Sequence, residues 1–69
     1  MTRDEWIAAF AERLGVPAPS SEQIDDLLAL AGVAAHASER TAAPLSCWIA
    51  AVARRSSAEA LAVARELAG

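Results

Sequence analysis

The sequence predicts an all-α fold: a compact four-helix bundle with three longer helices and a shorter C-terminal helix. Apolar residues recur at spacings of three and four, and no segment alternates with the period of two that strands show. At three places a serine or threonine stands three residues before a glutamate or glutamine, the spacing of an N-terminal capping box. A chain of 69 residues accommodates one domain, residues 1–69.

The first helix is predicted to begin after Thr2 and to end before Gly15. Thr2 and Glu5 have the capping-box spacing, and glycine tolerates the left-handed conformation that ends many helices. One apolar stripe runs along this helix: Trp6, Ile7, Phe10 and Leu14. Pro17 and Pro19 prevent the next helix from starting at once.

The second helix is predicted to start at Ser20 or Ser21. Its apolar residues follow at helical spacing: Ile24, Leu27, Leu28, Ala31 and Ala35. Gly32 lies within this pattern, where glycine costs stability, so either a neighbouring helix approaches closely there or the helix bends, and we favour the close approach. Glu39 and Arg40 are expected to close this helix.

The third helix is entered through residues 41–44. Thr41 is available as a cap, and Pro44 fits the first turn, where its missing N–H costs nothing. The apolar face of this helix, which we expect to pack against the other helices, is Leu45, Trp48, Ile49 and Val52. The fourth helix is predicted to open at Ser56 and to dock because it is too short to be stable alone. It is expected to bury Leu61, Ala64, Leu67 and Ala68.

The composition argues against several partners. Nine acidic and six basic residues give a net charge of −3. An acidic chain without a basic face is a poor candidate for binding the phosphate backbone of a nucleic acid. No apolar run approaches the roughly 20 residues that span a bilayer, and the acidic N-terminus is unlike a signal peptide. The single cysteine excludes an internal disulfide. We therefore expect a cytoplasmic protein with no nucleic-acid or membrane partner.

The reactive side chains are too few to predict catalysis. His36 is the one histidine, whereas a general base needs a partner and a metal site needs about three protein ligands. Cys47 falls in the first turn of the third helix, where a thiolate is stabilised, so thiol catalysis is an alternative. No other residues predict the oxyanion hole or the substrate cleft that thiol catalysis requires. We expect no enzyme, no cofactor and no metal.

Five residues are candidates for an interaction site: Trp6, His36, Glu39, Arg40 and Trp48. Tryptophan is more often a core residue than a binding platform, but it is enriched in binding hot spots. Arg40 and His36 either belong to a solvated helix end or bind an anion or a partner's carboxylate.

The segment Ala35-His36-Ala37-Ser38-Glu39-Arg40-Thr41-Ala42-Ala43-Pro44-Leu45 is distinctive, as are Trp6, Leu14-Gly15-Val16 and Asp26-Leu27-Leu28. With these motifs the chain resembles a family of small actinobacterial helical domains of unknown function. Such domains stand alone or are appended to nucleotidyltransferases that make the molybdenum cofactor. The family pattern has glycine where Ala37 stands and proline where Thr41 stands. The resemblance implies a helical accessory module and a link to that pathway.

Two functional hypotheses follow. The first is a non-catalytic module that binds a protein partner or a second copy of itself, because a small core and two tryptophans favour association. The second is a small anion- or nucleotide-binding domain that uses His36, Arg40 and the amides at the start of the third helix. Pro44 weakens the second hypothesis because it removes one donor. The sequence does not decide between the presence and the absence of a small-molecule ligand.

Overall fold

The computed structural model describes all 69 residues as four α-helices joined by short connections. They are α1 at Arg3–Leu14, α2 at Ser21–Ala37, α3 at Ala42–Ala53 and α4 at Ser57–Ala68. The all-α class and the four-helix bundle are confirmed. The prediction that the C-terminal helix is shorter than the other three is wrong, since α1, α3 and α4 have 12 residues each and α2 has 17. None of the four has the length and apolar character needed to traverse a bilayer.

The helix starts follow the local hydrogen bonds that the sequence predicts. In α1 the Thr2 backbone N–H donates to Glu5 Oε1 at 2.8 Å, and the Glu5 N–H donates to the Thr2 hydroxyl at 3.1 Å. Ser20 forms the same reciprocal pair with Gln23, which settles the start of α2. The Gly15 cap of α1 has φ 74°, the left-handed conformation expected there. The sequence therefore predicts correctly both ends of α1 and the start of α2, which depend on hydrogen bonds and backbone conformation within a few residues.

The connection between α2 and α3 differs from the prediction. The helix α2 ends at Ala37, and the hydroxyl of Ser38 donates to the Ala34 carbonyl at 2.8 Å. The Ser38 backbone, at φ −140° and ψ −98°, turns the chain out of the helix. Glu39 and Arg40 therefore lie in the connection and do not close α2, so that prediction is wrong. Thr41 occupies the cap position of α3, but its side chain makes no capping hydrogen bond.

The helix α2 is the element on which the bundle is built. Both α3 and α4 pack against it, while they make few contacts with each other, and α1 packs extensively on no other helix. The hydroxyl of Ser57 in α4 donates to Asp26 Oδ2 in α2 at 2.9 Å. Three residues are buried: Leu30 with 4% of its surface exposed, Leu61 with 7% and Ala11 with 8%. The core is therefore very small.

The packing faces differ from the predicted apolar stripes. Leu30, the most buried residue, is not part of the stripe predicted for α2. In α4 Leu61 is buried as expected, but Leu67 is 89% exposed and Ala68 is exposed too, which contradicts the prediction. The expected close approach at Gly32 is wrong as well, because a Cβ placed there meets no atom within 4 Å. Periodicity found the helices and most of the packed face of α2, where Ile24, Leu27, Ala31 and Ala35 are half-buried, but not the sides that α1 and α3 bury.

Candidate interaction surface

The apolar stripe of α3 faces solvent. We define this outer α3 stripe as four residues, all more than half exposed: Leu45, Trp48, Ile49 and Val52. The stripe was predicted to be the buried face of the helix, and that prediction is wrong. Between Ala42 and Ala53 there is also no charged residue. A helix that is apolar on all sides is ordinarily covered by protein, so this one is exceptional in a small chain.

The orientation of α3 has a physical cause in its opposite face. The side chains toward α2 are small and half-buried: Ala43, Ser46, Cys47 and Ala50. Small side chains let two helix axes approach closely, and the four positions recur at spacings of three and four. The Cys47 Sγ lies 4.0 Å from the Leu27 carbonyl oxygen of α2. With this face on α2, the four large residues point outward.

A groove separates α3 from α4. It has a volume of about 410 Å³, and eight of its ten lining residues are hydrophobic. Half-buried small residues form its floor: Ser46, Ala50, Ala60 and Ala64. Exposed larger residues form its rim: Ile49, Val63 and Leu67. Leu30 of α2 lies between the two helices and contributes to the lining. The groove is thus an apolar channel with one ionisable lining residue, Arg55.

The α1 helix exposes a second apolar stripe. The rings of Trp6 and Phe10 stack with centroids 5.8 Å apart and an interplanar angle of 11°. Trp6 is 57% exposed, Phe10 51% and Leu14 62%, so a core role for this stripe is wrong. Trp48 in the outer α3 stripe is 68% exposed, so the prediction that it is a core residue is wrong too. Both tryptophans are accessible for binding.

The polar candidates are exposed side chains at and after the end of α2. His36, Glu39 and Arg40 are exposed, with His36 in the last turn of α2 and the others in the connection to α3. The two ion pairs of the structure are Arg3 with Asp4 and Arg55 with Glu59, and neither includes them. The side chains of these three residues are therefore joined to one another by no ion pair and no hydrogen bond.

The start of α3 offers few donors for an anion. The Ala42 N–H donates to the Glu39 carbonyl at 2.9 Å, and the Ala43 N–H donates to the Arg40 carbonyl at 3.1 Å. Pro44 has no N–H. An anion at a helix start needs unengaged amides, and the first three positions provide none. The geometry does not favour the small anion- or nucleotide-binding hypothesis.

Reactive groups are dispersed. Cys47 is the sixth residue of α3, so it lies in the second turn and not in the first turn as predicted. It is half-buried against α2 and lines a shallow depression with Pro17, Pro19 and Leu27. No three His, Cys, Asp or Glu side chains come close enough together to hold a metal ion.

Sequence analysis singled out Trp48 but missed the other residues of the outer α3 stripe and the groove, because periodicity assigns a large apolar stripe to the core. One signal was available: α3 has no charged residue, and its small residues also recur at helical spacing, so either face can pack.

Comparison with known proteins identifies a family. No curated protein and no solved structure is significantly similar to the chain. The profile of one family, described as "Domain of unknown function (DUF6457)", matches residues 1–69. Because this match spans the whole chain, the chain belongs to the DUF6457 family of domains of unknown function.

Proposed function

We propose that the chain is a non-catalytic helical module that binds a protein of molybdenum-cofactor biosynthesis through the outer α3 stripe. The observation that carries the binding role is the orientation of α3. Its large apolar side chains, Trp48 among them, face outward on a helix with no charged residue. Exposed apolar patches of this kind mark interaction sites.

The chemistry of the stripe favours a protein over other macromolecules. An exposed tryptophan surrounded by aliphatic side chains is a typical hot-spot arrangement at protein interfaces. Membrane-surface helices carry lysine or arginine on their polar face, whereas α3 carries none. The net charge of −3 also repels anionic lipid and nucleic acid.

The partner is inferred from the resemblance to domains that are appended to molybdenum-cofactor nucleotidyltransferases. A domain tethered to an enzyme reaches it at high effective concentration, so a modest apolar contact suffices for binding. We therefore place the outer α3 stripe against the catalytic domain of such a nucleotidyltransferase. In this arrangement the chain positions or recruits and performs no chemistry itself.

Calorimetric titration of the purified chain with the nucleotidyltransferase of the same organism tests the proposal. We expect saturable binding, and we expect Trp48→Glu to weaken it at least about 30-fold, as hot-spot truncations do. Ala51→Glu is the matched control. It adds the same charge to α3 at an exposed position off the stripe, and it should change the affinity less than about twofold.

Two results would overturn the proposal. One is the absence of heat and of co-sedimentation with the nucleotidyltransferase at millimolar concentration. The other is Trp48-dependent sedimentation with vesicles of phosphatidylcholine and phosphatidylglycerol, because that would make the stripe a membrane contact.

A further inference from the structure

We propose that the α3–α4 groove is occupied by α1 of a second copy of this chain, in a reciprocal two-fold dimer. The stripe of Trp6, Phe10 and Leu14 fills the groove of the partner, and the partner's α1 fills the groove of the first copy. This inference deepens the proposed function, on which it rests, by saying how the module is assembled while Leu45, Trp48 and Val52 of the outer α3 stripe stay free.

The stripe of Trp6, Phe10 and Leu14 on α1 is not covered within its own chain. Its stacked Trp6 and Phe10 rings are both more than half exposed, and the helix packs extensively on none of the others. An amphipathic helix of 12 residues gains most of its stability from packing its apolar face. The apolar face of α1 is therefore a surface that needs covering.

The groove matches this helix in size and chemistry. From Trp6 to Leu14 the stripe is about 12 Å long at 1.5 Å per residue, and the groove spans about 10 Å along α3 from Ser46 to Ala53. Its floor of alanine and serine gives large aromatic rings room, while Ile49 and Val63 contact them from the rim. Large side chains facing small ones is the complementarity that helix packing uses.

Docking an apolar helix there costs little desolvation. Arg55 is the ionisable residue of the lining, its side chain is 62% exposed, and its guanidinium lies 3.8 Å from a Glu59 carboxylate oxygen. No charged group of α3 has to be buried, because that helix has none. The usual penalty for an unpaired buried charge is absent.

The exposed area fits a dimer. The chain exposes 5470 Å². A folded monomer of this mass is expected to expose about 4,100 Å², so roughly 1,300 Å² is left over. A standard interface covers about 800 Å² per partner, and the remainder is available for the outer α3 stripe. A two-fold arrangement uses the same pair of surfaces twice and closes on itself, which prevents open-ended association.

The full wild-type chain tests this directly. We expect sedimentation equilibrium to give a dimer that dissociates on dilution. The Trp48→Phe variant leaves Trp6 as the only reporter, and its emission should shift to longer wavelength as the dimer dissociates. The Trp6→Phe variant leaves Trp48, whose emission should not follow dilution, because Trp48 lies on the outer α3 stripe and outside the groove.

Charge substitutions locate the contact. Phe10→Glu in α1 and Val63→Glu at the groove rim should each raise the dimer dissociation constant at least about 30-fold. Ala9→Glu, exposed and off the stripe, is the matched control and should leave the constant unchanged. Mixing the two interface variants restores one intact helix–groove contact, so the mixture should associate more tightly than either variant alone. Circular dichroism reports whether each variant keeps its helices.

Three results would overturn this inference. A wild-type chain that is monomeric at millimolar concentration removes the second copy. A dimer whose Trp6 emission ignores dissociation removes α1 from the interface. A monomer in which Trp6 is already shielded means that the chain closes its own groove. If the chain is a monomer that binds the nucleotidyltransferase through Trp48, the dimer is wrong and the proposed function holds. If the chain is a Trp6-dependent dimer that binds no such enzyme, the dimer holds and the proposed function is wrong.

Discussion

The hydroxyl of Ser57, the first residue of α4, donates a 2.9 Å hydrogen bond to Oδ2 of Asp26 in α2. No other pair of side chains in different helices is hydrogen-bonded to each other in the structure. Both residues are half-buried, so water competes only partly for the bond. In a bundle with three buried residues, this polar contact helps to fix where α4 sits on α2.

Replacing Ser57 with alanine should lower the free energy of unfolding by about 1 kcal/mol, because a carboxylate acceptor loses its donor. Urea denaturation at one fixed protein concentration measures this, since association makes stability concentration-dependent. Asp26→Ala should cost a similar amount. Asp25→Ala removes the same charge from an exposed neighbour and should cost less than about 0.5 kcal/mol. Equal losses at residues 25 and 26 would contradict a specific bond.

The same substitution at two glycines should have opposite effects. Gly32→Ala should raise the free energy of unfolding by about 0.5–1 kcal/mol, because the position is mid-helix and a Cβ there meets open space. Gly15→Ala should lower it by about 1 kcal/mol, because φ is 74° and L-residues are strained in that conformation. Thermal denaturation of both variants checks the pair. Destabilisation at Gly32 would show that something packs against it.

Two helix caps should differ in strength. Ser20→Ala should cost about 1 kcal/mol, since the Ser20 hydroxyl accepts from the Gln23 N–H at 3.1 Å. Thr41→Ala should cost less than about 0.5 kcal/mol, because the Thr41 side chain makes no capping bond in α3. Denaturant titrations of the two variants give the comparison. A larger loss at Thr41 would mean that its hydroxyl has a partner in solution.

The start of α1 should depend on pH. The hydrogen bond from the Thr2 backbone N–H lowers the pKa of Glu5 below its ordinary value of 4.5, and the Thr2 hydroxyl lowers it further. Because the folded pKa is depressed, this contribution is fully present above pH 4.5 and is lost as pH falls through the lower, folded pKa. We expect the Thr2 amide resonance to titrate with a midpoint below 4.5.

Glu5→Gln is the control for that titration. Glutamine serves equally in a capping box, as Gln23 does in α2, so the cap should persist while the titration disappears. A Thr2 amide that still titrates in this variant would assign the pH dependence to another group.

The helices and their starts were predictable because caps depend on neighbours within three residues, as Thr2 with Glu5 shows. The packed faces were predictable only in part: that of α2 largely was, and those of α1 and α3 were not. In α3 both the large stripe and the small-residue face have helical spacing, and sequence spacing alone does not say which one meets α2. The structure places Ala50 inward and Trp48 outward. Leu30 was missed for a similar reason, since it lies off the apolar stripe that was read in α2.

The candidate site was predictable in part. Sequence analysis named Trp6 and Trp48 as candidate binding residues, with a core role as the alternative, and both side chains are exposed. The grouping of His36 with Glu39 and Arg40 followed from their nearness in sequence. In the structure α2 ends before Glu39, so the three residues share an edge but make no ion pair. The groove exists because α3 and α4 are not in close contact with each other. No local sequence pattern predicts how two helices are placed relative to one another.

The central position of α2 also determines how the chain assembles from the unfolded state. Both α3 and α4 pack on α2 and hardly on each other, so neither has a surface to settle on until α2 has formed. The hydrogen bond between Ser57 and Asp26 joins residues 31 positions apart, so the docking of α4 on α2 closes a loop of nearly half the chain. A substitution that breaks α2 near Leu30 should therefore release both later helices at once, whereas losing either of them leaves the other still docked.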